Sequence, residues 1–161
     1  NSEDEGAFDF DINMPLQIRD THWQNFVIGV VDGIQKVRPK KLGGFDCLIK
    51  SDLPIGVGIS SSAALVCGFA KGLNDLFDLG LSNLEMIEIS RMAEHNFVGT
   101  KCGVMDQFAV TMGKRKKLLL LNCKTLNYKL IDAEFFPYKI LLLNTNVSHN
   151  FNRKCEDQIR S

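Results

Sequence analysis

Residues 52–65 read DLPIGVGISSSAAL, and this stretch limits what the chain can fold into more than any other. A loop with two glycines and three consecutive serines runs straight into an apolar helical pattern. The first amides of a helix have no intrahelical partner, and the helix dipole makes that end electropositive. Gly56 and Gly58 carry no side chain to keep an anion away and tolerate unusual dihedrals. Ser60, Ser61 and Ser62 offer hydroxyls, and Ala63 keeps the first turn slim. Such a loop either holds an anion at a helix start or simply caps the helix. The residues alone leave both readings open. A Walker A loop would need a Lys before its Ser or Thr, and none occurs here. A dinucleotide fingerprint would need a second strand after the helix, where the periodicity gives a second helix. GISSS is not a nucleophile elbow.

The pattern around the loop predicts strands, then helices, then strands. Phe8, Phe10 and Ile12 alternate with Asp9 and Asp11, which predicts a strand with one wet face. Trp23 to Ile34 has helical spacing, Pro39 and Gly43-Gly44 interrupt the chain, and Phe45 to Ile49 reads as a strand. A helix is expected from Ser61 to Phe77. Its stripe is Leu65, Phe69, Leu73 and Leu76 or Phe77, with Gly68 and Gly72 allowing a neighbour to approach. Asp78 and Gly80 end it. Ser82 and Glu85 form a capping box for a helix reaching Phe97, and Gly103 opens a shorter one to Met112. Leu118–Leu121, Tyr128–Ile131 and Ile140–Leu143 read as strands, two of them buried on both faces. Residues 151–160 fit a further helix. The result is a single α+β domain.

Composition narrows the function classes. Lys plus Arg and Asp plus Glu both number 19, so no net charge favours nucleic acid or an anionic membrane. The basic run Lys114 to Lys117 reads as a solvated turn. Five cysteines without CxxC spacing argue against a disulfide framework and a zinc site, and fit a reducing cytoplasm. No apolar run approaches a membrane span. His22, His95 and His149 are too scattered for a triad or ligand set. Asp106, in the first turn of its helix, sits where the dipole favours a carboxylate.

LPIGVGISSSAAL resembles the phosphate-binding motif of the GHMP kinases. AEHNFVG, CGVMDQF, LLLLNCKTLNYKLI and LLLNTNVSH follow in the order found in the galactokinase branch of that family. The resemblance runs from Trp23 to about His149. It implies a ribosomal protein S5 domain 2-like fold, the amino-terminal GHMP domain, over residues 1–161. It also implies transfer of the γ-phosphoryl group of ATP to the anomeric hydroxyl of galactose. Gly56, Gly58, Ile59, Ser60, Ser61, Ser62 and Ala63 would then hold ATP. Asp106 would be the general base or an electrostatic aid, Ser62 and Glu94 would hold Mg2+, and Gly103 would let the sugar approach the backbone. Trp23 would line the adenine pocket or serve as a core tryptophan.

The family's PGRVNLIGEHTDY-type signature and its carboxy-terminal glycine-rich motif are absent, and NFNRKCEDQIRS departs from the pattern. The chain starts without Met and ends inside a charged stretch. The expectation is a piece of a longer kinase, inactive alone, that acts as a monomer on small molecules when full length. Two alternatives stand beside it. One is a galactose- and ATP-binding sensor of the same fold. The other is a kinase for N-acetylgalactosamine, arabinose or galacturonate.

Overall fold

A computed structural model describes residues 6–20, 22–55, 57–135 and 137–143. Gly56, His149, Cys155, the side chain of His22 and the helix expected over 151–160 lie outside the described residues. The elements are α1 (His22–Val37), α2 (Ser61–Leu76), α3 (Asn83–Ala93), a π-helical turn (Glu94–Val98), α4 (Met105–Met112), β1 (Lys117–Leu121) and β2 (Tyr128–Asp132).

α1 forms because Val27, Val30, Val31 and Ile34 recur on one face with no proline before Pro39. All four are buried, each worth about 1.5–3 kcal/mol relative to exposure. That face packs along α3, and α2 packs against both. The shared core joins these residues to Val66, Ala70 and Leu73 of α2 and to Met86, Ile89 and Ala93 of α3. Arg38, just after α1, fixes the outer end of the layer. Its Nε donates to the Leu79 carbonyl at 3.1 Å, and its guanidinium pairs with Glu85 at 3.0 Å. The Ser82–Glu85 capping box is present at the start of α3.

Several sequence expectations need correction. Residues 8–12 form no strand. They run as an extended segment held by the Gln35 side chain, whose Nε2 donates to the Ile12 carbonyl at 2.6 Å. The alternation is real, because Phe8, Phe10 and Ile12 pack on the core while Asp9 and Asp11 face solvent. It reports a lining on α1 rather than a sheet. Phe45–Ile49 and Ile140–Leu143 are also not strands, since no partner backbone pairs with them among the described residues.

In α2 the buried face is Ala63, Val66, Cys67, Ala70 and Leu73, joined by Phe69. The small side chains let α1 and α3 come close. Leu65, Gly68, Gly72 and Leu76 fall on the other side, with Leu76 exposed and open space around both glycines. Gly68 and Gly72 therefore do not make the close approach expected of them. Gly29 and Gly33 of α1 do, against Ala93 and Ile89.

β1 and β2 pair antiparallel with Leu119 opposite Leu130 and Leu121 opposite Tyr128. Only one face is covered. Leu119 and Leu130 turn inward, whereas Leu120 is 63% exposed, so the expectation of strands buried on both faces fails. Tyr128 meets Phe108 of α4 edge-on, with ring centroids 5.3 Å apart, and this seats the sheet against the helical layer. Lys114, Arg115 and Lys116 of the basic run lie exposed ahead of β1, as expected, whereas Lys117 opens the strand and pairs with Asp132. The whole remains α+β.

Candidate functional site

The loop ends in a backbone shape that its glycine and serines permit. Gly58 has φ +79°, and Ser60, at the N-cap of α2, has φ 60° and ψ 40°. Both are left-handed, a conformation costly for most L residues and cheap for glycine. The Ser60 hydroxyl makes no capping hydrogen bond, so it does not use up the first amides of α2. Gly58 and Ile59 are exposed, Ser60, Ser61 and Ser62 are half-buried, and Ala63 is buried. The amides from Ser61 onward thus face a loop with little side-chain cover. Gly56 lies outside the described residues.

Glu94 is the next component. It opens the π-helical turn directly after α3 and is only 3% exposed. Its Oε1 accepts from Gln107 Nε2 at 2.7 Å. Burial pushes the Glu94 carboxyl above its ordinary range. The Gln107 bond and the nearby Ser62 hydroxyl oppose the rise, the charge of Asp106 adds to it, and His95 works against it. Among the described residues, no Lys or Arg lies within ion-pair distance of Glu94.

The third component is the turn from Gly99 to Asp106. Gly99 ends the π turn with φ 82°, and its amide returns to the Glu94 carbonyl. His95 Nε2 lies 2.7 Å from the Cys102 carbonyl oxygen, which fixes the turn from below. Gly103 is exposed, with open space where a Cβ would stand. Asp106 follows, half-buried in the first turn of α4, close enough to Glu94 for their charges to interact. Burial raises the Cys102 thiol above its usual range.

Ser62, Glu94 and Asp106, far apart in sequence, therefore lie near one another where α2, the π-helical turn and α4 come together. Trp23 occupies a different setting. It is half-buried, packs on the core and meets the Phe8 ring edge-on at 5.0 Å. A shallow cleft of about 260 Å³ lies instead along residues 10–19, bordered by Phe10, Met14 and Leu16, and holds none of the expected residues. Among the described residues, no three His, Cys, Asp or Glu side chains converge as a metal cage.

Sequence reasoning assigned no role to Gln107. It is 1% exposed, and besides Glu94 its Nε2 reaches Cys102 Sγ at 3.4 Å. Its Oε1 is buried with no partner among the described residues. An unmade hydrogen bond of that kind costs roughly 1–3 kcal/mol. The signal was present in the sequence. Gln107, Phe108 and Thr111 fall on one helical face, so a polar amide stands where the pattern calls for a core residue.

The model of the GHMP kinases N terminal domain matches residues 25–114. The chain is similar to Clostridium acetobutylicum galactokinase, 36% identical over 146 residues, covering 91% of this chain and 38% of that protein. It is 44% identical to Clostridium tetani galactokinase over 125 residues, which are 77% of this chain and 32% of that one. Its structure is similar to that of Lactococcus lactis galactokinase complexed with galactose, with TM-score 0.67 and 31% identity over 80% of this chain and 32% of that one. The chain thus spans roughly a third to two-fifths of the length of these relatives.

Proposed function

We propose, from the premise that the chain belongs to the GHMP kinase family through its N-terminal domain, that it supplies the phosphate-binding loop and the acceptor-side carboxylate of a galactokinase. The observation that carries this reading is the junction at Glu94. Its carboxyl responds both to the Ser62 hydroxyl of the loop and to the charge of Asp106, which supports reading loop and carboxylate as parts of one site.

In this reading all of residues 1–161 form part of one N-terminal domain. The loop of Gly56, Gly58, Ile59, Ser60, Ser61, Ser62 and Ala63 receives the phosphates of ATP through backbone amides and hydroxyls. Trp23, packed on the core beside Phe8 and apart from the loop, is read here as the core tryptophan. Gly103, open on its outer side, lets the sugar lie against the backbone. Asp106 holds the anomeric hydroxyl and takes its proton as the oxygen attacks the γ-phosphorus. The bond from that phosphorus to the ADP oxygen breaks, leaving galactose 1-phosphate and ADP. Positioning and charge stabilisation supply most of the acceleration in such transfers.

Ser62 and Glu94 fit Mg2+ in kind. Both offer hard oxygens, and no Lys or Arg lies at ion-pair distance from Glu94 among the described residues. Mg2+ commonly takes one or two protein oxygens and completes its shell with phosphate and water. When bound, it would neutralise charge on the transferring phosphates. The partners are small molecules, and the working form is a cytoplasmic monomer. The four cysteines among the described residues are free, which fits a reducing compartment.

The test is galactose-dependent ADP release by a full-length protein containing this chain, with and without Asp106→Ala. Turnover lost in the variant, with its unfolding midpoint unchanged, supports the reading. Turnover that survives Asp106→Ala defeats it.

A further inference from the structure

Gln107 is buried as deeply as any core leucine, yet it keeps an amide there and leaves one end of it without a partner among the described residues. Packing alone would favour a methionine or leucine of the same volume. The other end of the amide is committed. Nε2 donates to Glu94 Oε1 at 2.7 Å, thirteen residues away in sequence, and lies 3.4 Å from Cys102 Sγ.

The backbone around Gln107 is anchored as well. Its carbonyl lies 3.8 Å from Cys67 Sγ of α2, and Phe108 beside it is fully buried. Asp106 immediately precedes it. One rigid residue therefore sets the separation between the Glu94 carboxylate and Asp106. It also occupies Oε1, which leaves the rest of that carboxylate for the Ser62 side of the site.

We propose that Gln107 is a positioning residue for the metal half of this site: its buried amide orients Glu94 toward a divalent cation bound with the nucleotide and ties that carboxylate to the helix bearing Asp106. The inference rests on the kinase reading above. Partners that orient a metal ligand typically account for 10–100-fold in metal affinity.

The experiment uses a full-length protein containing the chain, with Mn2+ as the probe. Mn2+ binding to the ATP-loaded protein is followed by water-proton relaxation for wild type, Gln107→Leu, Glu94→Gln and the double variant. Thermal unfolding identifies folded samples, and Gln107→Met replaces Gln107→Leu should the latter not fold. Gln107→Leu is expected to weaken Mn2+ binding about 10–100-fold. The KM for galactose and the affinity for metal-free ATP should stay unchanged. In the Glu94→Gln background the same substitution should add nothing. If Gln107→Leu and Gln107→Met bind Mn2+ like wild type while Glu94→Gln does not, Gln107 is only packing and the inference is overturned. If Glu94→Gln also binds like wild type, the assignment of Glu94 to the cation fails, and the role of Gln107 fails with it.

Discussion

Gly29 of α1 and Ala93 of α3 touch backbone to backbone: a Cβ at position 29 would stand 2.9 Å from both Cα and Cβ of Ala93. Ala93 is the residue before Glu94, so this contact sets how far the π turn lies from α1. Gly29→Ala is expected to destabilise the fold by about 1–3 kcal/mol, the usual cost of overpacking. Gly68→Ala, on the open side of α2, is expected to stabilise it by about 0.5–1 kcal/mol. Chemical denaturation of the two variants side by side measures both, and the opposite signs separate close approach from helix propensity.

Glu94 carries a pH signature with a definite sign. Its carboxyl is raised in the folded state, mainly by burial. The folded chain therefore holds that proton more tightly than the unfolded one. The stabilising contribution is full below the ordinary carboxylate range and is lost as pH rises through the raised value. Gln107, Ser62, Asp106 and His95 all face this group, so the slope belongs to the cluster. In metal-free buffer, Glu94→Gln should remove most of the fall in denaturation midpoint as pH rises beyond the ordinary carboxylate range.

Glu85 should behave in the reverse sense. Its carboxyl is lowered, first by the backbone bond from Ser82 and then by the Ser82 hydroxyl, with Arg38 adding less. Its contribution is present above the ordinary carboxylate range and is lost as pH falls through the lowered value. Ser82→Ala removes a cap worth about 1 kcal/mol at neutral pH. The deficit should shrink in acid, and a denaturation series from pH 7 to pH 3 would show the two curves converging.

The loop gives a further test. Gly58 sits at φ +79° with open space around it, so an added methyl meets strain and no clash. Gly58→Ala should cost roughly 1–2 kcal/mol of stability or shift the loop to relieve it. On the kinase reading, ATP affinity should fall in the same variant, measured by calorimetry, while Gly68→Ala leaves it unchanged.

Helices were largely legible from sequence because their signals are local. Apolar spacing found α1 and α2, and Ser82 with Glu85 announced α3. Strands depend on partners elsewhere in the chain, and here the pattern misled. Phe8 to Ile12 alternates because a helix lies beneath it, and Ile140 to Leu143 is apolar but unpaired among the described residues. Of the proposed site, Ser62, Glu94 and Asp106 could be named in advance from the motifs, and Ser62 and Asp106 are both near enough to Glu94 to influence its carboxyl. Gln107 showed itself only as a polar amide on the helical face it shares with Phe108 and Thr111, and its partner Glu94 is a tertiary contact that the pattern does not give. The same holds for Gly29, whose spacing to Gly33 resembles that of Gly68 to Gly72 while its surroundings do not.

The wide turn at Glu94–Val98 has one more consequence. A π turn holds one residue more than the α-helical course would need. The wide turn and an ordinary one each close about one revolution, so the extra residue is taken up within the segment and Gly99 leaves it in nearly the phase an α-helical course would give. One residue could be lost between Asn96 and Val98 with the winding turning regular, whereas a second loss would turn the chain beyond by about 100° relative to Glu94. The segment therefore holds a one-residue tolerance in length.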